Sequence, residues 1–325
     1  MTNTASSKPS RRTVLLGAAG AVGLSAVGGA AWALDRFLIE HADVTSASEY
    51  EGLPGTRSSI AVNTATSSTA SSGDGVIDGL TYTSSDRQVT ITAHSSGEGD
   101  TALAWYVADV QLSDATLLES AFAKDTFGTN IIDLPSSILA QVGGLFAING
   151  DYYGFRDTGI VIRNGVAFRD EPERQGLVLM RDGSMISYDE TSTNAARLIA
   201  DGAWHTLSFG PTLVDGSVAV SGIDEVEVDT NFGNHSIQGR QPRTGIGMIE
   251  PNHFVLVVVD GRSSGYSNGI TMGDFASLFV DLGARVAYNL DGGGSSAMVF
   301  NGSLVNNPLG RNKERGTSDI LWIGR

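Results

Sequence analysis

Short apolar runs separated by turn-forming dipeptides dominate the chain from Gly79 onward. The alternating stretch Val89-Thr90-Ile91-Thr92 is typical of a strand, and Gly143–Ile148 is typical of a buried strand. Several pairs of such runs are separated by dipeptides that favour tight hairpin turns, and these pairs predict β-hairpins. The turn dipeptides are Asn164-Gly165, Asp182-Gly183, Asp215-Gly216 and Asn301-Gly302.

A helix is predicted near the end of the chain. Thr271 and Asp274 have the spacing of a capping box in which Asp replaces Glu. Apolar residues at Phe275, Leu278, Phe279 and Leu282 then form one helical face, and Gly283 is a suitable C-terminal cap. The stretch 116–123 is compatible with a second helix.

The helix after Thr271 lies between two predicted strands, Phe254–Val259 and Val286–Leu290. Strand, helix and strand at this spacing predict a right-handed parallel crossover. Such a crossover places Asp260-Gly261-Arg262 and Asp291-Gly292-Gly293 at the same carboxyl edge of one sheet. Ligands commonly bind at that edge in α/β sheets, so the edge is the predicted site.

Residues 1–33 have the pattern of an export signal. Lys8 and the pair Arg11-Arg12 precede an apolar, Gly- and Ala-rich stretch, and Ala31-Trp32-Ala33 matches a cleavage pattern. The twin arginine is typical of a Tat signal. The alternative is an uncleaved N-terminal anchor, since about 22 weakly apolar residues can span a bilayer. We therefore expect an exported protein, extracellular or associated with the cell envelope.

Residues 34–78 are predicted to form a linker. Ser, Thr, Ala and Gly dominate this stretch, and such a composition buries too little apolar surface to fold. The folded domain is therefore expected to span residues 79–325. Residues 1–78 are predicted to be dispensable for its fold.

Composition excludes several classes of function. The chain of 325 residues has a formal net charge of −15, so nucleic acid is an unsuitable partner, and contact with a membrane is expected only through the N-terminal segment. There is no cysteine, which excludes disulfides, a thiol nucleophile and cysteine-ligated metals. The length is sufficient for one large domain with a sizeable core. The oligomeric state does not follow from the sequence.

The stretch Asn289–Met298 combines one carboxylate, three consecutive glycines and two serines between two predicted strands. Consecutive glycines indicate a sharp bend or a close approach of the backbone to another group. Their amides can converge on an anion, and Ser295 and Ser296 add further donors. The alternative is a Gly-rich hairpin loop in which Asp291 accepts bonds from its own turn amides.

Five motifs occur in an order that resembles the phosphodiester glycosidase family, which includes the lysosomal uncovering enzyme and bacterial proteins assigned to exopolysaccharide biosynthesis. The resemblance covers roughly residues 79–325 and departs from the family at Asp274, where Glu is usual. It implies an α+β fold, a mixed β-sheet domain with few helices and many hairpins. The motifs are Asn149–Tyr153, Pro242–Gly247, Val259–Arg262, Gly269–Asp274 and Asn289–Ser296.

The resemblance also implies hydrolysis of the bond between a sugar and a phosphodiester, with a carbohydrate phosphodiester as substrate. The leaving group is already an anion, so it requires charge stabilisation more than protonation. Carboxylates on the sugar side would act as nucleophile or base. The candidates are Asp151, Asp291 and then Asp260, with His235 as a further acid or base.

Arginine suits the phosphate side because its guanidinium group makes paired hydrogen bonds to phosphate oxygens. Each candidate also has a structural interpretation, as a turn former, a surface ion pair or a solvated loop side chain. The predicted substrate- or phosphate-binding residues are Asn149, Arg243, Thr244, Arg262, Gly292, Gly293, Gly294, Ser295, Ser296 and Arg315.

Two other functions stay open at this stage. A non-catalytic glycan-binding or assembly factor in exopolysaccharide production is one, although only 7% of the residues are aromatic and Tyr152-Tyr153 is the clustered pair. A metal-dependent phosphodiesterase is the other, although the sequence lacks clustered His and Asp ligands. No cofactor is required by the predicted chemistry, and a Ca²⁺ ion held by Asp and backbone oxygens remains compatible with the sequence.

Overall fold

A computed structural model describes residues 39–53, 75–228 and 237–325. The predicted export signal, residues 54–74 of the predicted linker and His235 lie outside these residues. The described residues from Ala42 to Arg325 form one compact unit. No helix in the described ranges is long and apolar enough to cross a membrane.

The described residues form four α-helices and many short strands, so the predicted α+β class is confirmed. The helices are α1 Ala47–Gly52, α2 Pro135–Gln141, α3 Ala195–Ala200 and α4 Met272–Asp281. The strands are β1 His41–Val44, β2 Val76–Asp78, β3 Thr81–Thr83, β4 Arg87–Ser96, β5 Leu103–Leu112, β6 Leu118–Phe122, β7 Phe127–Thr129, β8 Phe146–Asn149, β9 Gly159–Arg163, β10 Val166–Glu171, β11 Gln175–Met180, β12 Met185–Asp189, β13 Ala203–Leu207, β14 Thr212–Asp215, β15 Val218–Ala219, β16 Arg243–Glu250, β17 His253–Val259, β18 Val286–Leu290, β19 Met298–Phe300, β20 Ser303–Leu304 and β21 Asp319–Ile323.

Two larger sheets position the site. One has nine strands in the order β15-β14-β18-β16-β17-β5-β4-β3-β2, and the other has five in the order β20-β19-β8-β21-β6. A three-stranded sheet, β12-β11-β13, and two short ribbons, β1-β7 and β10-β9, complete the described strands. Residues from the nine-, five- and three-stranded sheets share one buried apolar cluster, so these sheets pack against one another.

The other face of the nine-stranded sheet is covered by α4. Phe275 and Phe279 of this helix are buried against alternate residues of β17. Gly245 and Gly247 on β16 allow this approach, because a Cβ atom at either position would lie 3.0 Å or less from a phenylalanine ring carbon. These glycines of the Arg243–Gly247 motif therefore serve helix packing.

The predicted parallel direction of the crossover is confirmed, and its right hand stays a prediction. β16 is antiparallel to both β17 and β18, so the last two strands run in the same direction with β16 between them. Helix α4 connects them, its N-terminus is capped by the Thr271 side chain, and Gly283 has a positive φ of 85°. The ends of β17 and β18 therefore meet at one edge of the sheet.

Local turn predictions are also confirmed, since each predicted dipeptide connects neighbouring antiparallel strands. Asn164 and Gly165, for example, have φ values of 50° and 75° between β9 and β10.

The prediction of a helix at residues 116–123 is wrong. Leu118–Phe122 is instead strand β6, in which alternate residues are buried and every residue pairs with β21. Pairing with a distant strand overrides the local helix preference there.

The linker prediction is wrong for residues 42–53 and 76–78. Ala47 is buried in an aromatic cluster with Phe122, Phe127 and Tyr153. The Ser48 amide and hydroxyl donate to the Asp125 carboxylate at 2.9 and 2.8 Å. Residues 76–78 form β2, which pairs with β3. The correct boundary was missed because a few buried residues in a polar stretch leave no periodic pattern.

Removal of residues 1–78 should therefore destabilise the domain more than removal of residues 1–38. We expect a difference of at least about 2 kcal/mol in the free energy of unfolding, since the shorter chain loses buried apolar contacts and several hydrogen bonds. Urea unfolding of the two truncated proteins measures it. Equal stabilities would show that residues 42–53 contribute nothing to the fold.

Candidate active site

The candidate site lies where the end of β18 meets the end of β8 from the opposite sheet. Asn149, the last residue of β8, donates from Nδ2 to the Asp291 carbonyl oxygen at 2.7 Å. Its Oδ1 accepts from Thr244 Oγ1 at 2.7 Å and from the Ala297 amide at 3.1 Å. Asn149 and Thr244 are fully buried, so they hold residues 291–297, called here the glycine loop, rather than contact substrate. This finding corrects their predicted role.

The glycine loop forms a tight turn whose amides are largely engaged within the protein. Gly293 has a φ of 63° and donates its amide to the Pro242 carbonyl at 2.9 Å, while the Gly292 amide bonds to the Asp291 carboxylate. The amides of Ser295 and Ser296 donate to Gly292 and Gly293 carbonyls. The predicted cradle of amides is therefore wrong for Gly292 and Gly293, because the turn uses their donors itself.

The glycines instead make room for two arginines. A Cβ at Gly293 would lie 3.4 Å from the Arg262 guanidinium group, and a Cβ at Gly294 would lie 3.3 Å from Arg315. Arg315 donates to Ser295 Oγ from Nε at 3.2 Å and from a terminal nitrogen at 2.5 Å. The Ser296 hydroxyl is buried and makes no hydrogen bond with the described residues.

Arg262 is anchored by a single described hydrogen bond, from Nε to Gln241 Oε1 at 2.8 Å. Partial burial lowers the pKa of Arg262, and the positive charge of Arg315 lowers it further. Two like charges beside one loop repel, and an anion placed between them would relieve that repulsion. The structure thus brings Arg262 and Arg315 to the same glycine loop, and their role in binding phosphate stays a prediction.

Asp291 is the carboxylate beside these arginines. Its Oδ2 lies 4.0 Å from Arg315, and 12% of its side chain is exposed. Burial raises the pKa of the Asp291 carboxyl above 3.8, and Arg315 and the Ser295 hydroxyl act in the opposite direction. Asp291 and Arg315 therefore lie close together at the glycine loop, and the catalytic role of Asp291 stays a prediction.

Asp151 lies in a buried charged cluster. Its two carboxylate oxygens accept from the amides of Tyr152 and Ser208 at 2.7 and 2.6 Å. Arg163 lies 3.8 Å from it and bonds to Asp319 Oδ2 from Nε at 2.9 Å. Asp151 is 3% exposed, so it is less available to a substrate than Asp291.

Arg163 and Asp319 are not among the residues predicted from the sequence. Burial raises the pKa of Asp319 to about 6, Arg163 lowers it and Asp151 raises it. Arg163 ends the apolar strand β9 beside a hairpin turn and resembles a surface charge in sequence, although it is completely buried. A charged residue inside an apolar strand pattern could have indicated a buried ion pair, because charged residues are rarely buried without a partner.

Arg243 is not placed as predicted. Its Nε donates to the Ile270 carbonyl at 2.9 Å, and one terminal nitrogen donates to the carbonyls of Ile237 and Gly239 at 2.7 and 2.8 Å. The side chain is buried and ties together backbone segments. Arg243 therefore stabilises the loops around the site, and its predicted role as a phosphate ligand is corrected.

Asp260 is also corrected as a catalytic candidate. It is fully buried, and its two oxygens accept three hydrogen bonds, from Asn306 Nδ2 at 2.7 Å, the Asn307 amide at 2.8 Å and the Tyr266 hydroxyl at 2.8 Å. Burial raises the pKa of its carboxyl, which these donors oppose. A carboxylate enclosed in this way has no face left for substrate.

Arg156 is a further charged residue near Asp291 that is not among those predicted from the sequence. Its guanidinium group lies 5.2 Å from the ring centre of Tyr152 and 5.0 Å from that of Phe209, and it donates to the Ser208 carbonyl at 3.1 Å. Its charge favours the ionised form of Asp291. Within the described ranges, no group of three or more His, Asp or Glu side chains is arranged to hold a metal ion.

Comparison with known proteins identifies a family and two similar sequences. The family model described as phosphodiester glycosidase matches residues 143–323. The SPbeta prophage-derived uncharacterized protein YomE of Bacillus subtilis (strain 168) is 30% identical over 261 residues, which cover 73% of this chain and 39% of that protein. N-acetylglucosamine-1-phosphodiester alpha-N-acetylglucosaminidase of Bos taurus is 28% identical over 137 residues, 40% of this chain and 25% of that enzyme. The chain thus spans less than half the length of both relatives.

A solved structure supports the same fold. The catalytic domain of zebrafish N-acetylglucosamine-1-phosphodiester alpha-N-acetylglucosaminidase, auto-inhibited by pro-peptide, superposes with a TM-score of 0.59 at 20% identity. The superposition covers 74% of this chain and 84% of the zebrafish domain. Because the family model covers more than half of the residues, the chain belongs to the phosphodiester glycosidase family.

Proposed function

We propose that this protein is an exported hydrolase that cleaves the bond between the anomeric carbon of a sugar and a phosphodiester in glycans or the cell envelope. One observation carries the proposal. Two guanidinium groups, of Arg262 and Arg315, flank the glycine loop that also presents Asp291, the partly accessible carboxylate. Export is inferred from the twin-arginine pattern of residues 1–33.

The proposed reaction separates the two ends of the substrate. The arginines hold the phosphodiester and stabilise the charge that develops when the bond from the anomeric carbon to oxygen breaks. The electron pair stays on that oxygen, which leaves as a phosphomonoester and needs no proton. A water molecule supplies oxygen to the anomeric carbon, and ionised Asp291 acts as base or nucleophile on the sugar side. One available carboxylate is therefore sufficient.

The test uses a chromogenic sugar-1-phosphodiester or a UDP-sugar in water labelled with ¹⁸O. We expect turnover with the label in the released sugar, because attack occurs at carbon. Label in the phosphate would identify a phosphodiesterase that attacks phosphorus. Binding without turnover would identify a glycan-binding protein. The anomeric configuration of the first product distinguishes the two roles of Asp291.

Replacement of Arg262 or Arg315 with Lys should lower kcat/KM by about tenfold or more. Lysine keeps the charge but loses the planar pair of donors. Arg243→Lys is the matched control, since Arg243 bonds to carbonyl groups rather than facing the glycine loop. We expect it to lower the melting temperature more than either of the other two variants. Unchanged kinetics in both Arg262→Lys and Arg315→Lys would remove these residues from the site.

Activity should rise with pH through the pKa of Asp291, since the base or nucleophile must be ionised. Burial raises that pKa above 3.8, so the acidic limb of kcat/KM should lie at higher pH than an ordinary aspartate gives. The same shift means that the folded state binds the proton more tightly, so ionisation of Asp291 reduces stability as pH rises. A pH profile of kcat/KM measures the limb, and a midpoint at or below 3.8 would contradict the assignment.

A further inference from the structure

The three loops that surround the proposed anion site meet at one buried carboxylate. The first loop follows β17 and carries Arg262. The second is the glycine loop with Asp291 and Ser295, and the third, residues 306–315, carries Arg315. Asp260 begins the first loop, accepts two hydrogen bonds from the third loop, and is linked to the glycine loop through Asn306.

The contacts of Asp260 hold its own loop. Tyr266 donates its hydroxyl to Asp260 Oδ2 at 2.8 Å, and Ser267 Oγ donates to the Asp260 carbonyl at 2.6 Å. These bonds close the loop around Arg262, whose backbone has a left-handed φ of 56°. Since that conformation is unfavourable for arginine, other contacts of the loop must maintain it.

The same carboxylate fixes the other two loops. Asn306 Nδ2 donates both to Asp260 Oδ1 at 2.7 Å and to the Ser296 carbonyl at 3.0 Å, and its Oδ1 accepts from the Met298 amide at 2.9 Å. Asn306 therefore joins Asp260 to the end of the glycine loop. The Asn307 amide donates to Asp260 Oδ2 at 2.8 Å, which fixes the start of the loop that leads to Arg315.

We propose that Asp260 is a positioning residue that sets the spacing of Arg262 and Arg315 and thereby the affinity of the site for the phosphate end of the substrate. The inference rests on the proposed function. A guanidinium pair binds an anion tightly only when both groups are held at the right separation, and supporting hydrogen bonds provide that constraint. Asp260 acts through the two arginines and touches neither substrate nor the reacting atoms.

The test compares Asp260→Asn with Glu190→Gln. Glu190 is a matched control because it is also a fully buried carboxylate with three backbone donors, the amides of Ile160, Glu173 and Arg174, and it has no contact with the three loops. Both substitutions remove a buried acceptor and should lower the melting temperature. Calorimetric titration with inorganic phosphate then measures the affinity of the site, independently of turnover.

We expect Asp260→Asn to raise the Kd for phosphate by about tenfold or more, and Glu190→Gln to change it by less than about twofold. KM for the phosphodiester should rise together with Kd. An equal loss of phosphate affinity in the two variants would overturn the inference. Unchanged phosphate affinity in a folded Asp260→Asn protein would also overturn it. If Asp260→Asn does not fold, Tyr266→Phe removes one of its donors and should still raise Kd by about two- to fivefold; unchanged affinity there would overturn it.

The proposed hydrolase function and the positioning role of Asp260 can be disproved independently. A wild-type protein that binds phosphate without cleaving a phosphodiester contradicts the hydrolase, and the comparison of phosphate affinities then still decides the role of Asp260. A wild-type protein that cleaves the substrate, with an Asp260→Asn variant of unchanged KM and Kd, contradicts the positioning role alone.

Discussion

Replacement of Asp291 with Asn should lower turnover by at least about 10²-fold and leave the melting temperature nearly unchanged. The amide fills the same space but acts as neither base nor nucleophile, and loss of such a group costs about 10²- to 10⁴-fold in rate. Little stability should be lost, because burial already disfavours the ionised form and the neighbouring Arg315 is half exposed. Turnover and thermal midpoint must be measured on the same preparation.

Asp182→Asn is the matched control for this experiment. Asp182 lies in a hairpin turn and accepts from the Ser184 amide at 2.9 Å, a role that Asn performs well. Its variant should retain wild-type turnover and stability. An Asp291→Asn protein that behaves in the same way would assign Asp291 to turn formation and leave the proposed mechanism without its carboxylate.

Replacement of Arg163 with Met should lower the free energy of unfolding by about 3–5 kcal/mol at neutral pH. The guanidinium group is completely buried and faces Asp319 at 2.9 Å and Asp151 at 3.8 Å. Its removal leaves two buried carboxylates together without a positive charge, and uncompensated buried charge is strongly destabilising. Urea unfolding measures the loss. Arg197→Met, which breaks an exposed pair with Asp201 at 2.8 Å, is the control and should cost less than about 0.5 kcal/mol.

The loss in Arg163→Met should shrink as pH falls. Burial already raises the pKa of Asp319 to about 6 in the presence of Arg163, and removal of that charge raises it further. A carboxyl whose pKa is raised by folding is favourable when protonated and becomes unfavourable as pH rises through that pKa. Unfolding at pH 5 and pH 7 should therefore show a smaller difference from wild type at pH 5. A loss that is independent of pH would contradict the charge argument.

Local chemistry was sufficient to predict several elements. Asn164-Gly165 and Asn301-Gly302 form hairpins because both residues of each pair adopt positive φ at little energetic cost, and Gly183 and Gly216 do so in the other two turns. The 3.6-residue period after Thr271, with a cap at each end, determines helix α4. The strand–helix–strand order then places Asp260 and Asp291 at one edge of the sheet, since a parallel crossover brings the carboxyl ends of its strands together.

The sequence did not reveal which polar side chains are available to a ligand. Arg243 and Arg262 both lie within motifs of the family. Arg243 nevertheless donates to backbone carbonyls, whereas Arg262 faces the glycine loop. Asp260 and Asp291 both end parallel strands, yet three donors enclose the first. These donors come from other loops, and no local pattern shows which loop will approach.

Local sequence patterns are sufficient for the turns, helix α4, the crossover and the edge of the proposed site, because each depends on residues close together in the chain. Long-range packing is required for the strand at Leu118–Phe122, the docking of residues 42–53 and the buried pair of Arg163 with Asp319. Each of these depends on partners far apart in the chain, as with Arg163 and Asp319, which lie 156 residues apart. Whether a polar side chain can bind a ligand or instead stabilises the fold depends on the neighbours that the tertiary structure gives it.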